Sequence, residues 1–274
     1  MSVYPVVSPI VHRGEAPLLI SLPHTGTDLP DDLLPALVDR DLALLDTDWR
    51  VDQLYAFAAA WGATLVRMPW SRTVVDVNRD PSGASLYPGQ ATTGLVPMET
   101  FDGRPLYRPG HEPDAAEIAR RVAAGFVPYH TALAAELTRL RALHPRVVLY
   151  DAHSIRSEIA RLFPGTLPVF NIGTNSGAAA APDLAERVAL AALASGESVV
   201  LNGRFRGGYI TRSYGRPADG IHAVQMELAQ RLYLDENAPA DPAPERAQRA
   251  EAALKPVVEA LLTWAQGSGA HPGC

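Results

Sequence analysis

Four polar groups in the chain stand where apolar runs end: His24, the cluster Asp46-Thr47-Asp48, the triplet Asp151-Ala152-His153, and Glu227. Imidazole and carboxylate ligands suit zinc, and a catalytic zinc takes three protein ligands and leaves the fourth position to water. Two histidines and one aspartate meet that count, and both Asp46 and Asp48 can supply the carboxylate. Each element alone is weak, because a histidine after a strand is most often a loop residue and Asp48 also fits a helix N-cap. Asp151 and His153 lie two apart and share one face of an extended strand, so Asp151 can orient the imidazole from behind. A second set is cationic. Arg72, Asn78 and Arg79 bracket one apolar run and its turn, while Arg204, Arg206 and Arg212 flank Gly207-Gly208. Guanidinium forks match carboxylates bidentately, although any one of these arginines also reads as solvated surface charge. The chain has no phosphate-binding loop, no dinucleotide glycine fingerprint and no His-Glu-x-x-His. In Gly173-Thr174-Asn175-Ser176-Gly177 the serine stands one position late for a hydrolase nucleophile.

The elements that position these residues follow from periodicity. Residues 17–23 form a short apolar run closed by Pro23 and Gly26, which predicts a buried strand with His24 at its exit. Over 48–61, Val51, Leu54, Tyr55 and Ala58 recur at helical intervals, which predicts a helix capped by Asp48. Residues 63–68 and 73–77 read as strands, and 83–113 as a long irregular loop of the kind that serves as a functional lid. Residues 112–143 are helical with an interruption at Pro128. The run 146–150 is a strand feeding Asp151, 167–172 and 198–201 are further strands, and 182–194 is a helix opened by a proline. Residues 207–211 and 221–228 complete the sheet. In the second of these, Val224, Met226 and Leu228 alternate with Gln225 and Glu227, which turns Glu227 away from the apolar set. Residues 245–266 form an amphipathic helix. Strands alternating with helices imply an α/β fold, a single domain over residues 1–274 with a central mixed sheet flanked by helices.

Composition bounds the function. The 274 residues are 47% hydrophobic and 20% charged, an ordinary globular balance, and can bury about three quarters of the unfolded surface without staples. A net charge of -6 argues against nucleic acid or an anionic membrane as the main partner, so any anionic ligand must be met locally. Lys255 is the only lysine among the 24 basic residues, which leaves little room for Schiff-base chemistry. The single cysteine, Cys274, rules out a disulfide framework and a cysteine-rich zinc site. Residues 1–10 carry no basic run followed by an apolar stretch, and no segment is apolar enough to span a bilayer, which predicts a cytoplasmic protein.

Six blocks carry a family resemblance. They are Ser21-Leu22-Pro23-His24-Thr25-Gly26, Asp46-Thr47-Asp48-Trp49, Ser71-Arg72 with Val77-Asn78-Arg79-Asp80-Pro81, Asp151-Ala152-His153-Ser154, Asn202-Gly203-Arg204-Phe205 with Gly207-Gly208-Tyr209-Ile210-Thr211-Arg212, and Gln225-Met226-Glu227-Leu228. In this order, over residues 17–233, the chain resembles the N-formylglutamate deformylase family. The resemblance implies a zinc-carboxypeptidase/aspartoacylase-like fold with a metal at the C-terminal edge of the sheet. It matches His24 and His153 to metal ligands, Glu227 to the general base, and Arg72 to the substrate-binding arginine of aspartoacylases, from where it can brace the developing oxyanion. Asn78 and Arg79 match a substrate-binding Asn-Arg pair, and Arg212 joins Arg79 in binding a small dicarboxylate. Related enzymes carry glutamate three residues after the first histidine. That position here is Thr27, so the third ligand falls to Asp48 as first choice and Asp46 as second, with Asp151 behind His153. Ser213 stands where the family often has histidine. The implied activity is hydrolysis of N-formyl-L-glutamate to formate and L-glutamate with one divalent ion, zinc by ligand type, at the end of a histidine degradation route. Two other readings use the same residues: an aspartoacylase-like deacylase of another N-acyl amino acid, since one methylene discriminates by only about 1–3 kcal/mol, and a non-catalytic protein binding acidic amino acids.

Overall fold

Seven strands form one mixed sheet in the computed structural model, which describes residues 5–84, 89 and 91–267. The strands are β1 (Ile10–His12), β2 (Leu18–Leu22), β3 (Thr64–Arg67), β4 (Val147–Ile155), β5 (Phe170–Gly173), β6 (Val199–Leu201) and β7 (Ile221–Ala229), in the spatial order β1-β3-β2-β4-β7-β5-β6. Pairing is parallel across β3, β2, β4 and β7, while β1 runs antiparallel to β3 and β5 antiparallel to β7. The helices are α1 (Arg40–Ala43), α2 (Val51–Leu54), α3 (Phe57–Ala60), α4 (Ala115–Arg121), α5 (Val127–Leu143), α6 (Pro182–Leu193), α7 (Tyr209–Tyr214) and α8 (Pro244–Gln266). None of the described helices is long and apolar enough to cross a membrane.

Every residue of β2, β4 and β7 is buried, as expected of parallel strands covered on both faces. On one face Ile20, Tyr150, Ala152, Met226 and Leu228 pack with α2, α6 and α8. On the other, Leu19, Val147, Leu149 and Ala223 pack with α5 through Tyr129, Leu133 and Leu137. Continuing along that second face toward the strand ends by the two-residue alternation, the side chains become Ser21, Asp151, His153, Gln225 and Glu227. Register aligns them, with Ser21 beside Asp151, Asp151 beside Gln225 and His153 beside Glu227.

Three predicted elements differ. The 48–61 helix is two short helices, α2 and α3, and Asp48 does not cap it: Arg50 precedes α2 in a left-handed conformation (φ 58°) that prevents a helix from starting at Asp48. Residues 73–77 are turns and irregular chain, drawn in by Asp76, which bonds His24, and by the neighbouring Asn78, which bonds Ile210. Residues 207–211 open α7 rather than a strand. Gly207 adopts φ 124°, and a Cβ on Gly208 would stand 2.4 Å from the Asn78 amide, so two glycines let the helix start against Asn78. The helical region 112–143 is interrupted as expected, by a π-helical turn over Val122–Phe126, with Pro128 in the first turn of α5. Residues 91–113 of the expected loop are irregular, while 85–88 and 90 lie outside the described residues.

Candidate active site

Strand ends bring the two histidines together. His24 leaves β2 through Pro23, His153 sits near the end of β4, and their ring centroids are 4.8 Å apart. Asp48, between α1 and α2, turns its carboxylate between them, with Oδ2 3.1 Å from His153 Nδ1 and 3.6 Å from His24 Nδ1. The outer nitrogens each meet a second carboxylate: His24 Nε2 lies 2.8 Å from Asp76 Oδ1, and His153 Nε2 lies 3.1 Å from Asp151 Oδ2. A carboxylate beside the outer nitrogen of each ring orients the imidazole so that its Nδ1 faces Asp48. The Asn78 side-chain amide stands 2.9 Å from His153 Nε2 and donates to Asp151 Oδ2 at 3.4 Å. Ser21 Oγ donates to the other oxygen of Asp151 at 3.0 Å.

Ligand atoms of His24, Asp48 and His153 lie within 4.8 Å of one another, and all three residues are buried. His24 Nδ1 and Asp48 Oδ1 make no hydrogen bond. Buried polar atoms without partners are costly, and a divalent cation coordinated at this point would satisfy both. The donor set, two imidazoles and a carboxylate, fits a three-ligand metal site.

Electrostatics favour a cation there. Burial works to raise the Asp48 pKa, but the hydrogen bond of His153 and the charge of both histidines outweigh it and hold the carboxyl well below its usual range. Burial works to lower the pKa of His153, but the charge and hydrogen bond of Asp151, with Asp48 behind them, hold it well above the usual imidazole value. A proton thus sits where negative charge converges, and a metal ion would take its place. Glu227 faces the same cleft, and burial raises its pKa to about 8, opposed by His153 and reinforced by Asp48.

The cleft is lined by His24, His153 and Glu227 together with Arg72, Arg79 and Arg204. Arg72 donates to Asp76 Oδ2 at 2.6 Å and stands 4.7 Å over the ring of Phe101. Burial favours the neutral acid at Asp76, yet Arg79, His24 and Arg72 hold its pKa well below the usual carboxylate range. Arg79 is oriented by the Thr93 carbonyl at 2.9 Å and the Thr93 hydroxyl at 3.1 Å. Asn78 also lines the cleft, its Oδ1 accepting from the Ile210 amide at 2.8 Å. Arg204 spans two walls, donating to the carbonyls of Leu162 at 2.9 Å and Ala91 at 3.0 Å.

The residue types and the register now point one way, and the comparisons with known proteins agree. The model of the N-formylglutamate amidohydrolase family matches residues 16–234. The chain belongs to this family. An N-formylglutamate deformylase of Pseudomonas aeruginosa is 50% identical over 253 residues, covering 92% of this chain and 95% of that protein. One from Pseudomonas putida is 48% identical over 254 residues, with the same coverage. The crystal structure of N-formylglutamate amidohydrolase from Ralstonia eutropha JMP134 superposes with a TM-score of 0.81 at 22% identity, covering 96% of this chain and 100% of that one. A gene product of Agrobacterium tumefaciens follows at a TM-score of 0.66 and 22% identity, covering 93% of each chain. These last two show the shared fold.

Two expected residues sit apart from the histidines. Asp46 spends its carboxylate on the Phe101 amide at 2.7 Å and on Arg156 at 3.2 Å, so it anchors the loop over the cleft. Arg212 donates to the Gly207 carbonyl at 2.8 Å and is not among the described residues lining the cleft, where Arg204 stands instead. The sequence pattern does not single out Asp76, because it lies inside a run that reads as a strand. The signal it does carry is its placement between Arg72 and Arg79, two cations that a buried carboxylate can hold. Nor does the pattern give a role to Gln225, whose Oε1 accepts from the Gly208 amide at 2.6 Å and ties α7 to β7.

Proposed function

We propose that the chain hydrolyses N-formyl-L-glutamate to formate and L-glutamate, using one divalent ion, zinc by ligand type, held by His24, Asp48 and His153. The observation that carries this reading is the meeting, in one cleft, of a three-ligand cluster, a buried carboxylate on the neighbouring strand and three arginines. The names of the Pseudomonas relatives support the substrate. A divalent ion at the cluster supplies Lewis acidity, polarising the formyl oxygen and bringing the pKa of water to about 7.

The chain's own groups do the rest. With a divalent ion beside it favouring the ionised form, Glu227 takes the proton of the attacking water and returns it to the departing amine, a task that needs a carboxylate within hydrogen-bond reach of both. Its buried position beside His153 keeps that proton from bulk water. Arg72, fixed by Asp76, braces the negative charge that develops on the formyl oxygen. Arg79 and Arg204 bind the two carboxylates of the glutamate part, Asn78 adds a neutral donor, and Arg212 holds the Gly207 backbone behind them. Asp76 and Asp151 orient the histidines. We place the reaction in the cytoplasm, as the last step of a histidine degradation route.

The test is formate and acetate release by the purified protein from N-formyl-L-glutamate, N-formylnorvaline and N-acetylaspartate. The expected order puts N-formyl-L-glutamate first, with N-formylnorvaline lower in kcat/KM by at least about tenfold, the scale of one lost charge-assisted contact. Faster release from N-acetylaspartate would move the reading to an acylase of another amino acid. Binding of L-glutamate without hydrolysis of any of the three would leave only a binding protein.

A further inference from the structure

His130, on α5, lies outside the cleft and has no part in the chemistry above. Its Nε2 is 2.8 Å from the Val77 carbonyl oxygen, and its Nδ1 is 2.9 Å from the Tyr214 hydroxyl. A carbonyl only accepts, so Nε2 carries the hydrogen and Nδ1 accepts from the Tyr214 hydroxyl, whose hydrogen is shared with the His130 carbonyl oxygen at 3.2 Å. The ring lies parallel to Tyr214, with an interplanar angle of 4°, and packs 4.1 Å from Phe126 and edge-on to Tyr209 at 5.4 Å. Burial lowers its pKa to about 4, which keeps the ring neutral at pH 7.

Its two polar partners belong to the two segments that frame Asn78. Val77 precedes Asn78 in the chain, and Tyr214 ends α7, whose first turn is built on Asn78. The Ile210 amide donates to Asn78 Oδ1 at 2.8 Å, and the Tyr209 amide to the Asn78 carbonyl at 3.4 Å. Gly208 approaches the Asn78 amide so closely that no Cβ fits between them. The Asn78 carbonyl also receives Arg79 Nη1 at 3.1 Å. The imidazole therefore grips both ends of the structure that holds Asn78 and Arg79 in the cleft.

We infer that His130 is a positioning residue of the substrate site, its neutral ring clamping the turn at Val77 to α7 and so fixing Asn78 and Arg79 where the substrate carboxylates bind. The kinetic consequence rests on the proposed reaction, while the clamp itself does not.

The experiment compares full-length wild type, His130→Phe, which fills the ring space without either polar contact, and His130→Gln, which keeps an N–H donor for Val77. Two quantities are read: KM and kcat for N-formyl-L-glutamate, and hydrogen-exchange protection of the Ile210 amide by NMR. Loss of a buried hydrogen bond predicts that His130→Phe raises KM about tenfold and lowers Ile210 protection about tenfold. In that variant kcat stays within about threefold and the protection of Leu133 and Leu137 in α5 is unchanged, while His130→Gln recovers most of both effects. Unchanged KM and protection in His130→Phe, equal losses in the two variants, or a loss of protection throughout α5 would overturn the inference. If His130→Phe does not fold, Tyr214→Phe removes one side of the clamp and is expected to shift both quantities the same way by about threefold, and no shift overturns the proposal. Should the wild type not hydrolyse N-formyl-L-glutamate, the substrate reading fails while Ile210 exchange still decides the clamp.

Discussion

At their C-terminal ends β4 and β7 present Ala152, Met226 and Leu228 to the layer under α6 and α8, and turn Asp151, His153, Gln225 and Glu227 to the opposite face, where all but Asp151 line the cleft. All seven side chains are buried. Burial alone therefore does not separate core from active site. The apolar face gains from leaving water, at about 25 cal/mol per Å² of apolar surface. The polar face carries a desolvation cost that its partners only partly offset, as the Glu227 pKa of about 8 and the unpartnered His24 Nδ1 and Asp48 Oδ1 show. One face holds the fold together, and the other stores the reactivity.

The sharpest way to break this division is Glu227→Gln. Turnover of N-formyl-L-glutamate should fall by about 100- to 10,000-fold, the range of general acid–base catalysis, with metal content unchanged. The melting temperature of the metal-free variant should be no lower than that of wild type at pH 7. The sign follows from linkage: Glu227 has a folded pKa of about 8 against a reference of 4.5, so folding costs it a proton uptake that is unfavourable above pH 4.5. Turnover within about threefold of wild type would place Glu227 outside the chemistry.

On the opposite face, Leu228→Ala should do the reverse. A fully buried leucine cut to alanine costs about 2–5 kcal/mol, read as a lower midpoint in urea, while kcat per folded molecule stays near that of wild type. A selective loss of kcat with unchanged stability would blur the two faces.

That alternation is legible in the sequence itself, because a period of two over Val224, Gln225, Met226, Glu227 and Leu228 separates the faces without further information. The strand-end histidines are legible for a similar reason, each closing an apolar run. What local pattern does not show is tertiary capping. Asn78 supplies the acceptors for the first amides of α7, so a Gly-Gly-Tyr-Ile-Thr run that reads as extended becomes helical through a residue 132 positions away. Asp76 is hidden likewise, since its partners His24, Arg72 and Arg79 converge only in space. Asp48 reads as a cap from its neighbours and becomes a partner of two histidines because Arg50 breaks the helix start. The edge strand β1 carries no signal of its own, being three residues that pair with β3 across more than fifty positions of chain.

Within the polar face, Arg79→Lys keeps the charge and removes the planar fork. We expect a loss of about 1.5–3 kcal/mol in transition-state binding of N-formyl-L-glutamate and a much smaller loss with N-formylnorvaline, measured as kcat/KM. The same substitution at Arg204 tests the other carboxylate, and at Arg212 it should change the ratio of the two substrates little. An unchanged ratio in both Arg79→Lys and Arg204→Lys would remove the assignment of the pocket.

The last effect concerns stability and pH. His130 has a folded pKa of about 4 against a reference of 6.5, so its contribution is fully present above pH 6.5 and is lost as pH falls toward 4. The difference in unfolding free energy between wild type and His130→Gln should shrink by about 2–3 kcal/mol over that interval. A difference independent of pH would contradict a buried neutral ring.

Everything on the polar face turns on whether His24, Asp48 and His153 hold a metal ion on which hydrolysis depends. The direct measurement is metal content by elemental analysis together with N-formyl-L-glutamate hydrolysis, for wild type before chelation, after chelation and after zinc is returned, with His153→Ala alongside. The expected result is about one ion per chain in wild type, loss of both ion and turnover on chelation, recovery of both with zinc, and neither in His153→Ala. Full turnover by metal-free wild type, or one ion per chain retained by His153→Ala, would contradict it.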